Sequence, residues 1–176
     1  LLQLLEKVPG RPGRKPSEAR GPYPSAVMAA KPEAYWRMSD FAGDKALDAT
    51  GRHPGRFLGE VAFYLPGPAS AKFSGKDINR AVYLAGGRIT SPMGNLGSTY
   101  SVELWFWNGL PNDARAVTGH LIARGRDELA IGGKGRLQFA QLAGVTEVAP
   151  KTWNHVVLVR NTHDVRVYLN GKLEIN

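Results

Sequence analysis

From Ala34 to Asn176 the chain is cut into short apolar runs by Gly, Pro, Asn and Asp, which leaves room for short strands and little else. The runs are rich in aromatic and β-branched residues, the side chains that suit a pleated surface. Strands are expected at Ala34–Met38, Val61–Leu65, Ala81–Leu84, Arg88–Thr90, Tyr100–Trp107, His120–Arg124, Leu129–Ile131, Arg136–Leu142, Trp153–Arg160, Val165–Leu169 and Lys172–Ile175. No long helix is expected after residue 33. Such a series predicts an all-β fold, an antiparallel two-sheet sandwich or barrel.

Two strands are especially legible. In Tyr100–Trp107, Val102, Leu104 and Phe106 alternate with Ser101, Glu103, Trp105 and Trp107. Both faces carry large apolar groups, so a central position is expected. The run Val156-Val157-Leu158-Val159 predicts burial on both faces as well. Asn170-Gly171 marks a hairpin turn. A two-residue loop would set Tyr168 opposite Leu173. A three-residue loop would pair Val167 with Leu173 and Val165 with Ile175. The second register is expected, because it gathers the apolar side chains on one face.

The first third reads differently. Leu1–Val8 has the pattern of the end of an upstream element, with Leu1, Leu4, Leu5 and Val8 on one helical face. Residues 9–33 carry Pro9, Pro12, Pro16, Pro22, Pro24 and Pro32 with scattered charges, and are expected to be a disordered linker. Residues 34–176 are expected to form the domain.

The net charge is +8, but it is spread along the chain. Residues 1–33 hold six Lys/Arg against three Glu. A generally basic surface explains this better than a nucleic-acid footprint, so no nucleic-acid partner is expected. No run reaches the ~20 apolar residues of a membrane span, so no membrane insertion is expected. There are no cysteines, which excludes disulfides and thiol nucleophiles.

Four pieces of the chain resemble the LamG-like jelly-roll family, within the concanavalin A-like lectin/glucanase superfamily. Ala34-Tyr35-Trp36-Arg37-Met38, with the loop Leu47-Asp48-Ala49-Thr50-Gly51-Arg52-His53-Pro54-Gly55, is similar to the opening strand and its Asp-x-Ser-Gly loop. Tyr100–Phe106, Lys151–Val159 and Val167–Lys172 come after it in the family's order. The resemblance implies a jelly roll of two packed antiparallel sheets. It also implies strands beyond the last hairpin, so this chain is expected to be an incomplete, C-terminally truncated piece of a larger exported bacterial protein.

Catalysis is not expected. Some relatives of this fold hydrolyse glycosides and need two carboxylates at a set separation. Glu103 stands alone in its strand, and Asp127 and Glu128 are adjacent, so they point apart. No Gly-x-Ser-x-Gly elbow or His-Glu-x-x-His pair occurs. The resemblance implies calcium as the one cofactor to consider, with Asp48 as the candidate ligand; the alternative is a turn-capping aspartate. For ligand binding the candidates are Trp107 and Asn108, beside the loop Asn108–Asp113, although core packing is the alternative for Trp107. Trp36, Trp105 and Trp153 are expected in the core. The expected role is a non-catalytic module that recognises carbohydrate or an extracellular protein. A spacer or adhesion domain is the alternative.

Overall fold

The computed structural model describes residues 21–70, 78–109, 111 and 117–176. The expected upstream element at residues 1–8 and most of the expected linker lie outside the described residues. So does most of the loop after Gly109.

Within the expected linker, residues 22–29 form a helix, α1 (Pro22–Ala29). Proline does not prevent this. Pro22 sits in the first turn, where its missing N–H would have no partner in any case. The strands are β1 (Lys45–Ala46), β2 (Gly55–Leu58), β3 (Val61–Pro66), β4 (Arg80–Leu84), β5 (Arg88–Thr90), β6 (Thr99–Trp107), β7 (Val117–Arg124), β8 (Asp127–Gly132), β9 (Arg136–Phe139), β10 (Leu142–Glu147), β11 (Trp153–Asn161), β12 (Asp164–Leu169) and β13 (Lys172–Ile175). The chain divides into two compact units at Met93/Gly94.

In the first unit, β1, β2 and β5 form one antiparallel sheet and β3 and β4 another. Phe57 and Phe63 join them edge to face at 5.0 Å. The expected opening strand at Ala34–Met38 is reduced to a single bridge between Trp36 and Asp48. β2 was not legible in advance because it opens on Gly55. A Cβ at that position would lie 2.8 Å from Ile89 Cγ2 and 3.2 Å from Ala46 Cβ, so only glycine lets the strands close.

The second unit has the expected all-β sandwich class, with two antiparallel four-stranded sheets within residues 94–176 of the expected 34–176 domain. One runs β13-β12-β11-β6 and the other β10-β9-β8-β7. Val156, Leu158, Val167, Leu169 and Ile175 from the first sheet meet Leu129, Ile131, Leu137 and Phe139 from the second. Val102, Leu104 and Phe106 complete the β6 side. At one end the sheets are joined by polar groups. The Tyr100 hydroxyl donates to Asp127 Oδ2 at 2.5 Å, and Arg160 Nη1 donates to Asp127 Oδ1 at 2.8 Å.

The final hairpin departs from the expected register. Its loop is the two residues Asn170-Gly171, both at positive φ (49° and 82°), and Tyr168 faces Leu173. The register then shifts, and Ile175 falls opposite Val167. A bulge at Glu174 therefore lets a tight turn coexist with an inward Ile175. The expectation assumed an unbroken ladder, in which only the longer loop kept the apolar side chains together. Glu174, released by the bulge, accepts the amides of Val145 (3.0 Å) and Thr146 (2.9 Å) on β10. It thus caps the edge of the other sheet. Burial alone would raise its carboxyl, but the hydrogen bonds from Thr146 and Val145 and the charge of Lys172 hold it below the ordinary glutamate range. Glu174→Ala is expected to speed amide exchange at Val145 and Thr146 about tenfold or more, measured by NMR, with little change in β11.

Candidate functional site

The outward face of the β6–β11 pair collects aromatic side chains. Alternation places Glu103, Trp105 and Trp107 outward on β6, and antiparallel pairing sets Trp153 opposite Trp107, His155 opposite Trp105 and Val157 opposite Glu103. Trp107 is 52% exposed. It meets Trp153 edge to face, with centroids 5.9 Å apart and planes at 72°. Trp105 lies against the His155 ring at 4.8 Å and 36°. His155 Nε2 is 2.9 Å from Glu103 Oε1. Tyr168 and the half-exposed Leu173 continue the surface across β12 and β13.

The two indoles make a corner, not a flat floor. A ligand ring stacked on one would be met at its rim by the other. From Glu103 to Trp107 the row spans roughly 13 Å, comparable with a short oligosaccharide. Apolar CH surface can rest on the indoles while hydroxyls reach the Glu103–His155 pair.

Of the expected site residues, Trp107 is on this surface and Asn108 is not. Asn108 is buried, and its amide donates to the Val148 carbonyl at 3.2 Å. Its backbone also bonds Thr152 and Lys151, so it serves the loop before β11 and not the surface. Trp105 and Trp153, expected in the core, stand outside the buried cluster. Their alternation was legible, but two apolar faces look alike until the partner sheet is placed. Trp153 in turn is held by its neighbour in the strand. The fully buried Asn154 donates to Ala149 O (2.9 Å) and Thr152 O (3.2 Å) and accepts from Asn170 Nδ2 (3.2 Å). Asn170 Oδ1 accepts the His155 amide at 2.9 Å. The Trp-x-His strand and the Asn-Gly hairpin are thus one hydrogen-bonded unit.

Asp48 lies in the first unit and is a knot of hydrogen bonds. Its Oδ1 accepts the amides of Tyr35 (2.7 Å) and Thr50 (3.0 Å). Its Oδ2 accepts the Thr50 hydroxyl (2.5 Å) and the amides of His53 (2.8 Å) and Arg52 (3.2 Å). Burial alone would raise its carboxyl, but the bonds from Thr50, Tyr35 and His53 outweigh it and hold the carboxyl far below the ordinary range. Calcium takes about six to eight oxygen ligands. At Asp48 it would face N–H and O–H hydrogens already directed at both oxygens, and no group of three or more His, Asp or Glu suited to a metal occurs among the described residues. As placed, both carboxylate oxygens accept N–H or O–H donors of this loop and of Tyr35.

An antiparallel sandwich with a row of aromatic residues on one outer sheet is the class of domain that this architecture defines. A family model described as the concanavalin A-like lectin/glucanases superfamily matches residues 85–175, and the chain belongs to that superfamily. Its fold is similar to domain 4 of AbnA, a GH43 extracellular arabinanase from Geobacillus stearothermophilus, solved in complex with arabinotriose. The TM-score is 0.51 at 22% identity, over 73% of this chain and 67% of that one. No curated protein sequence matches the chain.

Proposed function

We propose that the second unit is a non-catalytic carbohydrate-binding module that stacks a neutral oligosaccharide on Trp107 and Trp153. The observation that carries this reading is the indole corner, with Trp107 exposed and Trp153 half-buried, beside the Glu103–His155 pair. Exposed apolar patches mark binding surfaces, and tryptophan is enriched among the residues that carry binding energy. The arabinotriose complex of the similar domain favours a saccharide, and its extracellular setting favours an exported one for this chain. Absence of catalysis is supported by what surrounds Glu103. Its neighbours along and across the ladder are Ser101, Trp105 and Val157, none of which can act as a second carboxylate.

Arabinotriose is the first probe, with a glycan array after it. Binding is expected to be weak and to depend on Trp107. Trp107→Ala is expected to lower affinity by about 2 kcal/mol, roughly thirtyfold, in calorimetry. If no glycan binds, or if Trp107→Ala binds as tightly as the parent, the surface is not a saccharide site. The spacer reading then stands.

A further inference from the structure

The other sheet carries a second feature, on the face turned away from the core. A shallow depression of about 320 Å³ is lined by Gly132, Gly133, Lys134, Arg136, Gln138 and Ala143. That volume sits at the lower end of small-molecule sites and suits a single small ring. Its form comes from the ladder. Gln138 stands between Ala130 on β8 and Ala143 on β10, two small residues directly opposite it. Beside it, Gly132 leaves its strand bare. A Cβ there would come within 2.4–2.6 Å of the Gln138 amide atoms, so the amide lies flat over the glycine.

The rim is cationic. Among the described residues neither Lys134 nor Arg136 has an ion-pair partner. Glu147 stands opposite Arg136 in the β9–β10 ladder. Glu174, the other acid near β10, is already held by the Val145 and Thr146 amides. The depression therefore offers two cations, a primary amide and a floor of backbone. A guanidinium is a planar fork that matches a carboxylate, and an amide both donates to and accepts from hydroxyls.

We infer that this depression is a second saccharide site, separate from the indole corner, and selective for a sugar ring that carries a carboxylate. The carboxylate lies on Arg136 and Lys134, and the ring hydroxyls lie on Gln138. The site stands on charge and shape on its own sheet, so it holds whether or not the tryptophans bind sugar.

The test uses the full chain, ¹⁵N-labelled, titrated with trigalacturonate and with the neutral galactose trimer of the same linkage. Trigalacturonate is expected to shift the amides of Gly132, Gly133 and Gln138, to bind at least about tenfold tighter than the neutral trimer, and to weaken as salt rises. The double variant Lys134→Gln/Arg136→Gln is expected to lose that preference. Ala143→Phe, which fills the depression without touching its charge, is expected to lose binding too. Both variants keep the Trp107 response to arabinotriose if that site exists. The inference is overturned if the two trimers bind alike, if the shifts centre on Trp107 and Trp153, or if inorganic phosphate displaces trigalacturonate at equal concentration.

Discussion

Replacing Asp127 with alanine is expected to lower the stability of the second unit by about 3 kcal/mol, among the largest effects of any single substitution there. Its carboxylate is the point where the two sheets are tied by charge. Tyr100 on β6 donates to one oxygen and Arg160 on β11 to the other. The pair is largely shielded, with side-chain exposures of 15% for Asp127 and 25% for Arg160. Removing the carboxylate leaves a half-buried guanidinium and a phenol without their acceptor, which costs more than the lost attraction alone. Asp127→Asn keeps the shape but loses the charge, and is expected to fall between. Urea denaturation checks this through a lower midpoint at unchanged slope. A loss for Asp127→Ala below about 1 kcal/mol would mean that the clasp adds nothing beyond an ordinary surface pair. Burial, and then the Asp127 hydrogen bond and charge, raise the Tyr100 phenol above its ordinary 10.0, against the pull of Arg124. A raised pKa stabilises below the unfolded value and loses that contribution as pH rises past it. The tie is therefore expected to weaken above about pH 10.

The second large effect is expected at Asp48. Asp48→Ala removes the acceptor of four backbone amides and one hydroxyl at once. The loop Asp48–Gly55 also carries the His53 carbonyl, which accepts Trp36 Nε1 at 2.9 Å, and the His53 ring, 2.7 Å from Glu33. A loss of about 3 kcal/mol from the first unit is expected, read from the Trp36 environment on thermal or urea melting. The folded carboxyl lies below its ordinary 3.8, so its contribution is present at neutral pH and is lost progressively below about pH 4. Acid melting of the parent is expected to begin in that range. Asp48→Ala is expected to have a flatter profile there. Calcium or a chelator is expected to leave the parent's midpoint unchanged. A midpoint that rises with calcium would show that the hydrogen bonds yield to the ion.

Several strands could be read from the chain alone. β5 and β13 fall where alternation and turn residues put them, and β6, β11 and β12 differ by a residue at one end. The expected run Arg136–Leu142 was two strands, because the turn at Ala140–Gln141 carries no glycine or proline. Ala140 takes φ 51° itself. β10 was missed, since Leu142-Ala143-Gly144-Val145-Thr146-Glu147 has no strong period and a glycine within it. Part of the aromatic site was legible as Trp107. The depression was not, because Gly132-Gly133-Lys134-Gly135 reads as a turn and nothing marks Gln138 as its neighbour.

The sequence by itself determined the all-β class, the strands that alternate clearly, such as β5, β6, β11, β12 and β13, and the glycine-marked turn between β12 and β13. These depend on contacts within a few residues, on two-residue alternation and on glycine's access to positive φ. Tertiary structure alone decided which apolar face became core. Val102, Leu104 and Phe106 face the second sheet, while Trp105, Trp107 and Trp153 face outward. It also joined Tyr100, Asp127 and Arg160 and laid Gln138 over Gly132. Those choices depend on the register and position of partner strands tens of residues away, and a period of two says only that a strand has two faces.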